Sequence, residues 1–221
     1  MARHLNSWPL FWVLVLAVSV ASLLGLSGSD FHSARGMAPA ILVSVRCALP
    51  LFVVAFTASS LATLWRSAFT RWLLANRRYI GLAFAFGMTW HFTFVAYTIW
   101  NFGNPLNVKA TALDLFGFTF LLLLTLTSFR PFAHCLSRAN WQRLHKAGVY
   151  AIWLVPSAIY FHGVREGWGL YYRAAFAVLL AAWMLRVAAW WKKTRLRRLS
   201  GSSAVRHGLL GAPTESARRP K

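Results

Sequence analysis

Three histidines lie in or beside apolar segments of this chain, where an ionisable side chain is costly and is commonly functional. They are His91, His145 and His162. Two neutral imidazoles that face each other across an apolar slot, from different helices, are the ligands that a heme needs in a helical bundle. The remaining histidines fall in a terminus, a loop or the tail, where a solvated side chain is expected: His4, His32, His134 and His207.

The depth of each histidine decides which pair could share one heme iron. His91 follows Tyr79 by 12 residues, about 18 Å along a helix, and His162 follows His145 by 17 residues, about 25 Å. If both helices run outward, His91 is nearer in depth to His162. These two would then be opposing axial ligands near the outer leaflet, and His145 would serve a second, inner heme.

His145 and His162 are harder to combine as ligands of the same heme, because both lie on one predicted helix. Seventeen residues at 100° each leave them about 100° apart around an ideal helix. Pro156 lies between them, and a proline kink could change this phase. Each histidine also has a structural interpretation: His91 as an interhelical hydrogen bond, and His145 and His162 as wet side chains at the membrane interface.

Six apolar segments would position these histidines, and most are close to the 20 or so residues that a membrane-spanning helix needs. Of all residues, 58% are hydrophobic and only 13% are charged, against about 25% charged in an average soluble domain. The sequence therefore predicts an all-α, polytopic membrane bundle of six transmembrane helices. The predicted spans are 8–27, 41–64, 79–100, 111–129, 145–163 and 168–191.

The net charge of +20 would indicate a nucleic-acid partner in a soluble protein. Here the cations fall between apolar spans, where they usually set topology, so no nucleic-acid partner is predicted. Segments 66–78 and 130–146, the tail and Arg3 hold 18 of the 24 cations. The positive-inside rule therefore predicts that both termini are cytoplasmic and that the third and fifth spans run outward.

The chain divides into three regions on this interpretation. Residues 1–40 would hold the first transmembrane helix, retained rather than cleaved as a signal peptide, and an outer loop. Residues 41–191 would form the core, and residues 192–221 a basic, disordered cytoplasmic tail. Contact with membrane lipid follows from the apolar spans, and the basic run at the start of the tail would lie at anionic headgroups.

Two motifs carry a resemblance to a known family. One is Arg77-Arg78-Tyr79-Ile80-Gly81-Leu82 followed by His91, and the other is Trp141-Gln142-Arg143-Leu144-His145 with Tyr150. Together they resemble the ferric reductase-like transmembrane family, in particular the heme-binding membrane subunit of the periplasmic methionine sulfoxide reductase system. The resemblance covers roughly residues 40–191, and His91 and His145 are the positions that match best.

The resemblance implies a membrane protein of the bacterial inner membrane that holds one or two b-type hemes and passes electrons across the bilayer. The donor would be a separate flavoprotein or quinone, and the acceptor would lie outside, in the periplasm. The chain has no flavin or nicotinamide domain, so a flavin is not evident from the sequence, and any enzymatic role would be that of an oxidoreductase subunit. Family members usually place a second histidine 13 residues after the first in the fifth helix, where this chain has Ala158. His162, four residues later, would then be a ligand from one turn higher, or His91 and His145 would hold a single heme.

A second interpretation belongs to another functional class. The bundle would be a non-heme membrane scaffold, or a transporter-like bundle, in which His91, His145 and His162 are structural. Transport usually requires more buried polar residues or broken helices in repeated halves. Asp114 is the only acidic residue near a predicted span.

Overall fold

The computed structural model describes residues 7–103 and 108–210, which form helices joined by short loops, with no strand among these residues. The helices are α1 (Trp8–Ser27), α2 (Ala38–Leu64), α3 (Ala68–Phe102), α4 (Val108–Leu126), α5 (Arg130–Ala133), α6 (Arg138–Arg165) and α7 (Leu170–Leu210). The predicted all-α class is confirmed.

Among the described residues, five helices are long and apolar enough to cross a membrane. They are α1, α2, α3, α6 and the part of α7 from Leu170 to Arg198. α4 contains a shorter apolar helix, Ala112–Leu126, which is less than the 20 or so residues that usually span the hydrocarbon core. The structure thus supports a multi-pass integral membrane protein with lipid around its helices, while the count of six spans stays a prediction.

α3 begins 11 residues before the predicted third span, at Ala68. A capping box starts it: the Thr70 N–H donates to the Ser67 hydroxyl over 3.1 Å, and the Ser67 N–H donates to the Thr70 hydroxyl over 3.1 Å. No glycine or proline follows before residue 79. The predicted loop at 66–78 is therefore wrong for most of its length, because the sequence there caps and continues a helix.

α6 also begins earlier than predicted, at Arg138, after the N-cap residue Ser137. The Ser137 hydroxyl accepts a hydrogen bond from the Asn140 N–H over 3.2 Å, which satisfies one of the free donors of the first turn. His145 consequently lies about two turns inside the helix rather than at its start.

α7 continues through residue 210, so residues 192–210 are helical where the sequence predicted a disordered tail. Lysine, arginine and leucine, which dominate 192–199, are good helix formers and extend the spanning helix without a break. The rest of the predicted tail, 211–221, lies outside the described residues.

The two ends of the bundle differ in charge. α2 ends, α3 begins, α4 ends and α6 begins at one end, which we call the basic end. The N-terminus of α1 lies there too, since the Ser7 N–H donates to Asn76 Oδ1 over 2.8 Å and Trp8 packs on Tyr79. The described acids Asp30, Asp114 and Glu166 lie toward the opposite end. The described cations at or near the basic end are Arg66, Arg71, Arg77, Arg78, Arg138, Arg143, Lys146, Arg186, Lys192, Lys193, Arg195, Arg197 and Arg198.

The loop between α1 and α2 at the opposite end is closed by Asp30. Its carboxylate accepts hydrogen bonds from the His32 N–H over 3.0 Å and from the Ser33 hydroxyl over 3.3 Å. The bond from the His32 backbone N–H lowers the pKa of the Asp30 carboxyl below its ordinary value. His32 itself is exposed, as predicted for a loop histidine.

α2 lies at the centre of the packing, against α1, α3 and α7, while α6 packs on α4 and α7. The main core is aromatic and aliphatic and includes Phe52, Phe56, Phe84, Leu121, Ile152 and Leu179. α1, α2 and α3 approach most closely at Gly87, where a β-carbon would lie 2.8 Å from Val18 Cγ1 and 3.2 Å from Ala48 Cβ. Small residues commonly allow such close approach in membrane bundles.

We predict that Gly87→Ala destabilises the protein by about 1–3 kcal/mol, the usual cost of overpacking a closed contact. Gly81→Ala is the matched control on the same helix, because a β-carbon at Gly81 would meet nothing within 4 Å. The measurement is the thermal unfolding midpoint of the detergent-solubilised protein. Equal midpoints for the two variants would show that α1, α2 and α3 do not meet at Gly87.

Candidate functional site

Two adjoining cavities run through the bundle between α2, α3, α4 and α6. The first, which we call the His91 cavity, has a volume of about 240 Å³, and its ionisable lining residues are His91, Arg46, Asp114 and the three tyrosines Tyr160, Tyr171 and Tyr172. The second, which we call the basic cavity, has a volume of about 640 Å³, and its ionisable lining residues are Arg77, Arg78, His145, Lys146 and Arg186.

Four core residues line both cavities, and we call them the shared wall: Phe52, Phe84, Leu121 and Ile152. They come from α2, α3, α4 and α6 in turn, so each of these helices contributes one apolar side chain. Each is at most 8% exposed. The two cavities are therefore neighbouring parts of one slot, with their polar residues on either side of the shared wall.

His91 is buried on α3 and is held by α2. Its Nδ1 lies 3.2 Å from the carbonyl oxygen of Ile41. A carbonyl can only accept, so Nδ1 carries the proton and the Nε2 lone pair is left free. Histidines that ligate metals are commonly oriented by this kind of hydrogen bond through the other ring nitrogen. His91 is thus prepared as a single nitrogen donor in the wall of its cavity.

Arg46 lines the same cavity from α2, within a membrane-spanning segment. Its guanidinium lies over the Tyr171 ring, 4.2 Å from the ring centroid, and its Nε is buried with no hydrogen-bond partner. A buried donor without a partner costs free energy that an anionic or carbonyl group in the cavity would recover. The cavity thus pairs a free imidazole nitrogen with an unsatisfied cationic donor.

Tyrosines close the His91 cavity on the side of α6 and α7. Tyr160 is buried, with its hydroxyl 3.4 Å from the hydroxyl of Tyr171, and its ring packs on Tyr172. Gly163 lies directly beneath Tyr172, since a β-carbon there would collide with the Tyr172 ring. This aromatic group separates the cavity from the opposite end of the bundle.

His145 lines the basic cavity from α6 and is held by α4. Its Nε2 lies 3.0 Å from the Thr127 hydroxyl, which itself donates to the carbonyl of Leu123 over 2.6 Å. The hydroxyl has one hydrogen, so His145 Nε2–H is the donor of the shared bond and Nδ1 is left free. Trp141 stacks on the His145 ring at 4.0 Å and donates its indole N–H to the Thr127 carbonyl. The ring is therefore fixed on two sides.

His162 lies near the end of α6 and lines neither cavity. Its side chain is 61% exposed, with Nδ1 4.0 Å from the Glu166 carboxylate and the ring against the edge of Trp168. This agrees with its interpretation as an interfacial side chain. Pro156 lies inside α6, but His145 and His162 do not share a cavity.

The depth of His91 follows from two contacts with α4. Phe92 packs on Phe118 with ring centroids 4.6 Å apart, and a β-carbon on the adjacent Gly117 would lie 3.2 Å from Val155 on α6. His91 is therefore level with Val155. That level is ten residues, about 15 Å, from His145 and seven residues, about 10 Å, from His162.

The three histidines thus lie at three depths and in three different surroundings. The structure does not bring His91 together with His162, nor with His145, as one heme with two axial histidines would require. Across its described residues it also shows no group of three or more His, Cys, Asp or Glu side chains that could hold a metal ion.

Sequence reasoning missed Arg46 and Arg186. Arg186 donates to the Phe56 carbonyl over 3.0 Å and lies over the rings of Phe56 and Tyr150, at 4.4 and 4.9 Å. Each arginine lies inside a predicted span, 41–64 or 168–191, whereas the charge analysis counted only cations in loops and tails. A charge inside an apolar span was the available signal, because such residues face the bundle interior.

The two sequence motifs meet in the structure. Arg77, Arg78 and Gly81 of the first and Trp141 and His145 of the second line the same basic cavity, from α3 and α6. Comparison of the chain with protein families, curated proteins and solved structures found no match. The resemblance to the ferric reductase-like transmembrane family therefore stays a prediction that rests on these motifs.

Proposed function

We propose that this chain is an integral membrane b-type heme protein that carries electrons between the two faces of the bilayer, with His91 as an axial ligand. The observation that carries the proposal is the state of His91. It is buried at membrane depth, its Nδ1–H is held by the Ile41 carbonyl, its Nε2 keeps a free lone pair, and its side chain lines the His91 cavity. Intramembrane ionisable residues are costly and are commonly retained for function.

The residues around His91 fit a heme in part. Arg46, with its unsatisfied Nε, is placed to pair with a propionate, and Phe92, Met88 and the shared wall would exclude water. The His91 cavity alone is smaller than the roughly 300–1,000 Å³ of typical cofactor pockets, so the proposed site includes the shared wall and the adjoining apolar part of the basic cavity.

A bound heme would supply one-electron chemistry, and the chain would set its potential through the axial imidazole, burial and nearby charge. A second, inner heme on His145 stays a prediction from the sequence and is not part of this proposal, because His145 lines the basic cavity rather than the His91 cavity. The exposed position of His162 does not support it as a heme ligand. A flavin has no binding fold among the described helices, so the donor is proposed to be a separate flavoprotein or quinone.

The direction of electron transfer follows from the difference in charge between the two ends of the bundle. We place the basic end in the cytoplasm by the positive-inside rule, with α4 as a sixth, shorter span and both termini inside. The electron donor would then reach the basic end and a periplasmic acceptor the opposite end, as expected for a protein of the bacterial inner membrane. The chain would be an oxidoreductase subunit of the ferric reductase-like kind.

One observation favours a second candidate, a non-heme scaffold or transporter-like bundle. His91 and His145 each make an interhelical hydrogen bond, to the Ile41 carbonyl and to the Thr127 hydroxyl. Such bonds connect helices in lipid and are worth about 1 kcal/mol each. In that case the two histidines would stabilise the packing of α3 on α2 and of α6 on α4.

Absorption spectra of the purified protein, oxidised and then reduced with dithionite, test the proposal. We expect Soret and α bands of a b-type heme. Because His91 is the one histidine among the described residues that line its cavity, we also expect a high-spin ferric signal by electron paramagnetic resonance and ready binding of added imidazole. Protein produced with ample heme that shows no such bands would eliminate the heme function in favour of the scaffold.

A further inference from the structure

Among the residues that the structure describes, the basic cavity collects positive charge with no acid in its lining. Four permanently charged side chains line it, Arg77 and Arg78 from α3, Lys146 from α6 and Arg186 from α7, and its lining contains no aspartate or glutamate. Like charges gathered around one cavity repel one another, most strongly where water is partly excluded. An anion in the cavity would remove this repulsion.

Topology alone does not explain this arrangement. Exposure does not separate the cavity cations from cations that only set orientation, since Arg77, Arg78 and Lys146 are exposed, as are Arg71 and Arg143. Two of the cavity cations are instead anchored on backbone carbonyls: Arg78 Nη2 donates to the Ser128 carbonyl over 2.6 Å, and Arg186 Nη1 donates to the Phe56 carbonyl over 3.0 Å. Both are therefore held at the cavity wall.

The rest of the lining has a polar part, formed by Thr125, Thr127, Ser128, Gln142 and His145, and an apolar part. Phe56, Leu124 and Val149 continue from the cationic residues toward the shared wall. A cavity with positive charge on one side and aliphatic and aromatic side chains on the other matches a ligand that is itself amphiphilic. Its volume of about 640 Å³ is within the range of typical ligand pockets.

We propose that the basic cavity binds the phosphate headgroup of an anionic phospholipid, with the first part of the acyl chains against its apolar side. The cavity lies at the basic end of a bundle whose helices are long enough to span a bilayer, which places the cations at headgroup depth. Basic pockets between transmembrane helices are a known means of binding acidic lipid headgroups. The headgroup site does not involve His91 or Arg46, which lie beyond the shared wall, although its apolar side adjoins the space that the proposed heme would use.

The test compares lipid binding by matched variants of the full-length protein. The probe is phosphatidylglycerol added to the detergent-solubilised protein, with phosphatidylcholine and inorganic phosphate in parallel, and the readouts are the shift in thermal midpoint and lipid adducts by native mass spectrometry. The cavity variant is Arg77→Gln/Lys146→Gln. The control, Arg71→Gln/Arg143→Gln, removes the same charge from the same two helices outside the cavity lining.

We expect phosphatidylglycerol, and neither phosphatidylcholine nor inorganic phosphate, to stabilise the wild type and the control. The cavity variant should bind it about 30-fold more weakly, which corresponds to about 2 kcal/mol for two cations at 1.4 kcal/mol per tenfold. Equal affinity of the two variants would overturn the proposal, as would stabilisation by inorganic phosphate alone. Loss of heme from the cavity variant would overturn it too, because the cations would then serve propionates. The His91→Ala variant should keep the shift in thermal midpoint that phosphatidylglycerol causes. Failure of the heme proposal can therefore be distinguished from failure of the lipid proposal.

Discussion

Substitution of His91 by alanine will abolish heme binding, whereas His162→Ala will leave the heme content of the purified protein unchanged. His91 is the buried histidine whose free nitrogen belongs to a cavity wall, while His162 is exposed beside Glu166. We expect the ratio of heme to protein in the His91→Ala variant to fall by at least tenfold, measured from the absorbance of the extracted heme. A full complement of heme in this variant would contradict the ligand assignment.

Loss of heme from a misfolded variant would mimic loss of a ligand, so a rescue experiment is needed. Alanine at position 91 leaves space that free imidazole can enter, and added imidazole should restore part of the heme spectrum if the side chain acts as a ligand. If His91 is only a hydrogen-bonding side chain, imidazole will restore nothing, and the variant will lose only about 1 kcal/mol of stability with its bond to Ile41.

The second large effect is expected from the substitution of Arg46. The sign of the resulting change in the stability of the heme-free protein separates the two candidate functions. The Arg46 Nε is buried without a partner, so Arg46→Met should stabilise the heme-free protein by about 1–3 kcal/mol, because the substitution removes a buried donor that has no hydrogen bond, at similar volume. The same substitution should weaken heme binding at least tenfold, since a propionate would lose its cation. The measurements are the thermal midpoint of the heme-free protein and a heme titration.

Arg173→Met provides the control, because Arg173 is exposed on α7 toward the same end of the bundle. It should change neither the midpoint of the heme-free protein nor the affinity for heme. If Arg46→Met instead destabilises the heme-free protein and leaves heme binding intact, then Arg46 has a structural role on Tyr171, and the propionate assignment is wrong.

Apolar segment lengths predicted much of the fold, because a helix that crosses lipid must be continuous and apolar. α1, α2, α3, α6 and α7 each contain a predicted span. The beginnings of α3 and α6 were misplaced, because Ser67 and Ser137 cap helices in polar sequence that hydropathy assigns to loops. A search for serine followed three residues later by a hydrogen-bonding residue would have found the first of these starts.

The histidines show where prediction from sequence ended. The position of His91 inside an apolar segment predicted that it is buried, whereas His145, expected at the membrane interface, is half-buried inside α6. The partners that face each histidine depend on how α4 lies between α3 and α6. That register is set by Phe92 on Phe118 and by Gly117 on Val155, which no periodicity within one helix reveals. A comparison of depth along two helices alone therefore paired His91 with His162, which lies on the exposed surface of α6 and not in the His91 cavity.

The shared wall has a consequence for the energy stored across the membrane. A continuous polar path between the two cavities would let protons run down the membrane potential, which is worth about 2.3 kcal/mol per charge at 100 mV. Phe52, Phe84, Leu121 and Ile152 interrupt that path with side chains that cannot relay a proton. A proton that moved between the ionisable groups on the two sides of the shared wall would therefore have to bypass these four side chains.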